Sequence, residues 1–157
     1  MNPPASSLKV IRAEIWHAEL IAPLFDAYRQ FYGQPSDYSA AHRFITERLK
    51  ASESVVFLAT LESIVGSKPV GFVQLYPAFS SISMKRIWIL NDLFVAPEAR
   101  KRGVGAALME SARQLAVSTA SKELILETAI DNLSAQRLYE KLGYKRDVDF
   151  HRYALSV

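Results

Sequence analysis

The sequence has 157 residues, half of them apolar, a formal net charge of +3 and no cysteine. This length supports one domain with a single core and is too short for two ordinary domains. The lack of cysteine excludes disulfides, thiolate metal sites and a cysteine nucleophile. The mild charge, and basic clusters that lack interleaved aromatic residues, argue against nucleic acid as a partner.

The sequence gives little support for a metal site or a membrane-spanning segment. The histidines His17, His42 and His151 stand far apart, and no HExxH pattern occurs, so we expect no metal site. No run approaches the ~18 apolar residues of a membrane span, and the first residues lack the layout of a signal peptide. We expect a cytoplasmic protein that does not associate with membranes.

The N-terminal half predicts a strand, two helices and three strands behind a flexible tail at residues 1–7. The predicted strand covers residues 8–15, the helices cover 16–32 and 39–50, and the further strands cover 54–61, 69–79 and 82–95. A short segment with Gly66 and Pro69 joins the first two of these later strands, which favours antiparallel neighbours.

The strand at residues 82–95 has two distinct faces if it alternates regularly. One face then carries Ile87, Ile89, Asn91, Leu93 and Val95, and the other carries Trp88, Leu90, Asp92 and Phe94. The sequence therefore predicts that Leu90 and Asp92 point the same way.

The C-terminal half predicts a helix, a buried strand, a second helix and a final strand. The first helix begins at the glycine-containing turn and ends near residues 118–121, and the strand covers 123–128. Asp131 or Asn132 caps the second helix, Gly143 ends it, and residues 150–155 form the last strand. The order β-αα-βββ-α-β-α-β predicts one mixed α/β domain over residues 1–157.

The run RKRGVG, residues 100–105, joins the long strand to the next helix and suggests a phosphate site. A Walker motif requires Lys and Ser or Thr after its last glycine, but Ala106 and Ala107 follow Gly105. A Rossmann fingerprint requires Gly or Ala where Leu108 stands, and an early βαβ unit. The first pattern is rejected and the second is weak.

A third pattern fits the run and its surroundings. Val95, Pro97, Arg100, Gly103 and Gly105 occupy the fixed positions of a Val-x-Pro-x-x-Arg-x-x-Gly-x-Gly motif that leads into a helix. Residues 93–108 thereby resemble the acetyl-CoA-binding motif of the GNAT superfamily of N-acetyltransferases. A second family motif of Asn, Ala, Tyr and a Gly-aromatic pair is matched at Asn132, Ala135, Tyr139, Gly143 and Tyr144.

The resemblance implies a GNAT-like fold, in which helices flank a central, twisted and mostly antiparallel sheet. Within the superfamily, residues 91–95 and 31–33 look like the branch of histone- and polyamine-acetylating enzymes, which includes diamine acetyltransferases. Polyamine members often have a Glu-Asp pair where this chain has Asn91 and Asp92. One candidate base is therefore an amide here.

The resemblance also implies the residues that bind acetyl-CoA as co-substrate. Backbone N–H groups at a helix start favour the diphosphate, and neighbouring cations support it. The pantetheine arm would pair with the preceding strand like an added strand, and Asn132 would bind pantetheine or CoA unless it only caps its helix. The residues assigned to acetyl-CoA are Leu93, Phe94, Val95, Arg100, Lys101, Arg102, Gly103, Val104, Gly105, Ala106, Asn132 and Tyr139.

Acetyl transfer to an amine needs proton handling at both ends, because a free alkylamine has a pKa near ~10.4 and a thiol near ~8.5. By resemblance, Tyr139 is the acid for the leaving thiolate and the Val95 N–H polarises the thioester carbonyl. Tyr139 also shares the inner face of its helix with apolar residues, which fits a core role. Asp92 is the nearest candidate base, and Glu127 is the alternative, acting through water.

Two functions follow from these assignments. The first is an N-acetyltransferase that moves the acetyl group directly from CoA to a primary amine, and the second is a non-catalytic acyl-CoA sensor or interaction module of the same fold. Phe31, Tyr32 and Tyr38 belong to an aromatic group that could face the acceptor. The last strand could pair with or exchange into a second copy, as in some family members, so a homodimer is a further expectation.

Overall fold

A computed structural model describes residues 7–157. The chain folds into two compact units, one ending at Glu127 and one beginning at Thr128, which are described separately. The predicted tail lies outside the described residues except for Ser7, which begins the first strand. The elements are β1 (Ser7–Arg12), α1 (Ala18–Phe31), α2 (Tyr38–Lys50), β2 (Val55–Ser63), β3 (Gly66–Ser80), β4 (Lys85–Val95), α3 (Val104–Ser118), β5 (Leu124–Leu126) and α4 (Leu133–Lys141).

The strands form one sheet in the order β1-β2-β3-β4-β5. The pairs from β1 to β4 are antiparallel, and β5 lies parallel to β4. A two-residue loop at Ile64 and Val65 joins β2 to β3, as expected for antiparallel neighbours. The predicted fold class, a mixed α/β fold with a mostly antiparallel sheet flanked by helices, is confirmed.

The two faces of the sheet carry different helices. Ile21 and Phe25 of α1 and Ile45 of α2 share a buried cluster with Phe72 and Phe94 of the sheet. Gly71 points to the opposite face, where Val104 and Leu108 of α3 approach it. Helices α1 and α2 therefore cover one face, and α3 covers the other.

A buried carboxylate fixes the loop between α1 and α2. Asp26 accepts hydrogen bonds from the Ser36 hydroxyl at 2.6 Å and from the Asp37 N–H at 2.8 Å. These two bonds, the first above all, lower the pKa of Asp26 against the opposing effect of burial. Asp37 in turn caps α2 by accepting from the Ala40 N–H, so one side chain sets where α2 begins.

Several element boundaries differ from the predictions. The first strand ends at Arg12, because Glu14 forms a capping box with His17 around a 3-10 turn that precedes α1. The strand predicted from residue 82 begins at Lys85, since the Met84 N–H closes a turn onto the Ser81 carbonyl. The strand predicted at 123–128 is reduced to Leu124–Leu126.

The unit from Thr128 onward contains α4 and a C-terminal segment. Asn132 caps α4 by accepting from the Ala135 N–H, and Gly143 ends the helix with a φ of +90°, both as predicted. The predicted final strand at residues 150–155 is wrong, because residues 151–157 have no regular secondary structure. The Asp147 carboxylate instead accepts from the N–H groups of Asp149 and Phe150, and this local turn competes with strand pairing.

Gly71 should be sensitive to substitution, because β4 and α3 lie close to β3 there. A Cβ atom at this position would lie 2.8 Å from the Phe94 carbonyl oxygen and 3.3 Å from side-chain atoms of Val104 and Leu108. We expect Gly71→Ala to lower the free energy of unfolding by about 1–3 kcal/mol, measured by urea unfolding. Gly33→Asn is the control, since Gly33 has φ +80° with no atom within 4 Å and Asn tolerates that conformation. Equal stability of the two variants would contradict the proposed close packing.

Candidate active site

The turn between β4 and α3 exposes backbone donors. After a 3-10 turn at Pro97–Ala99, Lys101 and Gly103 both adopt left-handed conformations, with φ of +60° and +80°. Gly103 is the N-cap of α3 and no side chain caps the helix. Within residues 7–157, the N–H groups of Val104, Gly105 and Ala106 have no acceptor. This arrangement can bind an anion at the helix start.

The three cations of the turn do not act alike. Arg100 donates its Nε–H to the Val95 carbonyl at 3.1 Å, and its guanidinium lies 6.0 Å from the ring centre of Phe31. All three residues are exposed, but these contacts direct the Arg100 side chain toward β4 and α1. Backbone groups of α3 are the first candidates for anion binding, and the side chains of Lys101 and Arg102 come second.

The edge of β4 that faces β5 has no strand partner beyond residue 90. β5 pairs with β4 only over Trp88–Leu90. On the opposite edge, the Ala96 N–H donates to the Val70 carbonyl of β3. Because backbone groups alternate along an antiparallel ladder, the N–H groups of Leu93 and Val95 point to the β5 side, past the end of β5 pairing. The Phe94 N–H points toward β3, so of residues 93–95 only Leu93 and Val95 offer donors there.

A β-bulge changes the predicted facing of β4. Leu90 pairs with Leu75 and Asp92 pairs with Gln74, so Asn91 is an extra residue with no partner in β3. Since Gln74 and Leu75 are consecutive and face opposite ways, Leu90 and Asp92 do too. The prediction that they share a face is wrong for this reason. The bulge directs Asp92 to the face covered by α1.

Asp92 lies in a buried polar cluster on that face. It is only 5% exposed and accepts from Gln74 Nε2 at 2.8 Å and from Asn91 Nδ2 at 3.1 Å. Burial raises the pKa of Asp92, and hydrogen bonds from Gln74, Tyr28 and Asn91 oppose the rise. The raised pKa makes the Asp92 carboxylate a stronger base than an ordinary exposed carboxylate.

Two further groups of this cluster were missed by sequence reasoning. Gln74 is fully buried beside Asp92, and burial, then the Asp92 charge, raises the pKa of Tyr76 to about 12. The available signal was a single Gln in the apolar run of β3. Tyr28, which the sequence places on the inner face of α1, contributes a hydrogen bond to Asp92 as well as ring contacts with Phe72 and Phe94.

A shallow cavity of about 360 Å³, wide open to solvent, lies on the α1 side, next to the turn. Its lining is largely apolar and comprises Ala27, Gln30, Phe31, Phe94, Pro97 and Arg100. Phe31 and Tyr32 are 59% and 51% exposed, so these aromatic rings are surface groups as well as core contacts. The cavity has the size of a small-molecule site.

The remaining predicted residues lie elsewhere in the chain. Glu127 is exposed and directly follows β5 in the first unit. Asn132 and Tyr139 belong to the second unit, where Asn132 caps α4 and the ring of Tyr139 lies 6.0 Å from that of Tyr144. The structure thus places Asp92 and residues 93–95 at the end of β4, directly before the turn that leads into α3.

Neither a metal centre nor a membrane span emerges from the part of the chain that the structure describes. Among these residues, no group of three or more His, Asp or Glu side chains is arranged to hold a metal ion. None of the helices in residues 7–157 is both long and apolar enough to cross a membrane.

Known proteins resemble this chain over nearly its whole length. An uncharacterized N-acetyltransferase of Bacillus subtilis, YhfO, is 45% identical over 96% of this chain and 98% of its own. A probable acetyltransferase of Haemophilus influenzae is 35% identical over 96% of this chain and 99% of its own. The crystal structure of a probable acetyltransferase superposes with a TM-score of 0.88 at 41% identity, covering 95% of this chain and 97% of that one.

The family assignment agrees with these relatives. The model of the acetyltransferase (GNAT) family matches residues 20–144, which include both motifs found in the sequence. The chain therefore belongs to the acetyltransferase (GNAT) family and is an N-acetyltransferase.

Proposed function

We propose that this protein transfers an acetyl group from acetyl-CoA directly to a primary amine of a small molecule, a polyamine or a protein. One observation carries the proposal. Unpaired N–H groups of the first turn of α3 and of the β4 edge lie at the two ends of one short stretch, residues 93–106. The stretch offers donors for a polyanion and for an extended amide chain.

The chemistry of these donors fits CoA. The N–H groups of Val104, Gly105 and Ala106 would hold the diphosphate, with Lys101 and Arg102 adding charge. The backbone of Leu93 and Val95 would pair with the amides of the pantetheine arm as an added strand does. When bound, acetyl-CoA supplies an activated acetyl thioester, and the Val95 N–H would polarise its carbonyl.

Proton handling falls to side chains of this chain. In the transfer, the nitrogen–carbon bond forms, the carbon–sulfur bond breaks, the amine loses a proton and the sulfur gains one. Asp92 is the base that the geometry favours, because it is buried, has a raised pKa and lies one residue from Leu93. Glu127 is the exposed alternative acting through water, and Tyr139 is the proposed acid for the thiolate. The chain has no cysteine to form an acetyl-enzyme, which favours direct transfer.

The acceptor would approach from the α1 side. The cavity near Phe31 and Phe94 opens on that face, which is also the face toward which the bulge turns Asp92. A placement in the histone- and polyamine-acetylating branch rests on residues 91–95 and 31–33 alone. One domain over residues 1–157, a cytoplasmic location and a homodimer remain predictions of the same proposal.

Binding of acetyl-CoA should depend on the backbone cradle more than on side-chain charge. Gly105 is the second residue of α3, so Gly105→Val adds bulk beside the free N–H groups without requiring a left-handed backbone. We expect Gly105→Val to weaken binding at least about tenfold and Lys101→Ala by about threefold or less, measured by isothermal titration calorimetry. The reverse order would indicate a simple basic patch.

Turnover should require Asp92 and Tyr139. We expect the protein to release free CoA from acetyl-CoA in the presence of some members of a primary-amine panel. Asp92→Asn should lower kcat/KM about 10²-fold or more, and Tyr139→Phe should lower kcat most at high pH, where the thiolate has fewer other proton donors.

Matched controls distinguish the roles. Glu127→Gln tests the alternative base on the same panel, and Tyr144→Phe removes a neighbouring hydroxyl on the same helix end as Tyr139. If Glu127→Gln abolishes turnover while Asp92→Asn leaves it intact, Asp92 is not the base. Acetyl-CoA binding without turnover on any amine would support the sensor function instead.

A further inference from the structure

The side chain of Gln74 has an incompletely satisfied amide at the centre of the sheet. It is fully buried on β3, and its Nε2 donates to Asp92 Oδ2 at 2.8 Å. Its carbonyl oxygen Oε1 is also buried and has no hydrogen-bond partner. A buried acceptor without a donor costs about 1–3 kcal/mol, so its presence calls for a physical reason.

The bulge in β4 creates this pair. Gln74 and Asp92 are direct cross-strand partners at the point where the register shifts, and both face α1. A regular strand would have placed Asn91 opposite Gln74 and turned Asp92 toward the other face. The contact therefore depends on the bulge between β3 and β4.

An amide can meet both protonation states of a carboxyl group. Its N–H₂ end donates to a carboxylate, and its oxygen end accepts from a carboxylic acid O–H; the two ends are nearly identical in shape. Rotation by half a turn about the last side-chain bond exchanges them. At Gln74 this rotation leaves Nε2 without a partner in place of Oε1, so the two orientations differ little in free energy.

We propose that Gln74 is a positioning residue that follows the protonation of Asp92, donating Nε2–H to the carboxylate and turning to accept the O–H through Oε1. The inference deepens the proposed function, since it rests on Asp92 taking the proton of the acceptor amine. That step balances simply: the ammonium loses one proton, Asp92 gains it, and Gln74 keeps a hydrogen bond to Asp92 before and after.

Of the groups around Asp92, Gln74 is the one suited to bond it in both protonation states. The titratable groups that face Asp92 are Tyr28 from α1 and Tyr76 from β3, with Arg48 of α2 and Glu53 acting on Tyr76. Tyr28 can donate or accept, but as an acceptor it must find another partner for its own proton. Asn91 is exposed, so water can replace its bond to Asp92.

The test is an NMR titration of the protein without acetyl-CoA or amine, which separates this inference from the proposed function. We expect the side-chain N–H₂ signals of Gln74 to change with pH at the same midpoint as the carboxyl carbon of Asp92. No variant is needed, so a failure to fold cannot intervene. Gln74 signals that stay constant while Asp92 titrates would overturn the proposal.

Variants measure the size of the effect. Gln74→Met removes the amide at similar length and so removes its bond to Asp92 in both protonation states. Because the bond to the carboxylate is charge-assisted and stronger than the bond from the acid, this change should raise the pKa of Asp92 by about half to one pH unit and move the acidic limb of the kcat/KM profile upward equally. Asn91→Ala should raise the pKa of Asp92 less than Gln74→Met does, because water replaces the lost donor. Thr60→Val is the control, since it removes another buried side-chain hydrogen bond of the sheet, to Glu62, and should leave the pKa of Asp92 unchanged.

The results separate two failures. An Asp92 pKa unaffected by Gln74→Met, or moved as much by Thr60→Val, would contradict the role of Gln74. If the titrations behave as expected but Asp92→Asn retains full turnover, the pair exists and the proposed function of Asp92 fails.

Discussion

The register shift between β3 and β4 is the constraint on which the candidate site depends. Because the shift leaves Asn91 unpaired, Asp92 faces the polar cluster under α1, while Leu90 stays on the α3 face. At the same point β5 stops pairing with β4, so the strand edge at Leu93 and Val95 becomes open. The bulge thus supplies the buried carboxylate, and the end of β5 pairing beside it leaves a free row of donors. It lies at the end of the sheet where the chain turns into α3.

The rest of the first unit holds this geometry in place from both faces. On one face, hydrogen bonds from Ser36 and Asp37 to Asp26 fix the loop between α1 and α2. Both helices pack over Phe72 and Phe94. On the other face, Gly71 lets the backbone of β3 lie close to Val104 and Leu108. That approach sets where α3 begins relative to β4. The donors of the α3 first turn and of the β4 edge are therefore fixed by packing as well as by the connecting turn.

Much of the fold could be read from the sequence because local patterns were strong. Short-range rules were enough for the helical spacing of α1 and α2, for a cap at Asp131 or Asn132 and for the stop at Gly143. The two motifs at residues 93–108 and 132–144 came from the resemblance to the GNAT superfamily. The bulge could not be found this way, since it depends on how β3 pairs with β4 and changes no residue type. Asp92 as the base stays a prediction; the facing predicted for it on β4 was wrong, and its buried neighbour Gln74 was missed. The prediction of a final strand at residues 150–155 was wrong, because the apolar residues there do not reveal the local turn that Asp147 makes just before them.

The central claim is that CoA binds along the open edge of β4 and the first turn of α3. Amide hydrogen exchange, followed by NMR with and without acetyl-CoA, measures it residue by residue. Bound acetyl-CoA should slow exchange at Leu93, Val95 and the N–H groups of residues 104–106. Phe94 and Ala96 should change little, because their N–H groups already point to β3. Protection that leaves Leu93 and Val95 unchanged, or that affects residues 93–96 uniformly, would contradict it.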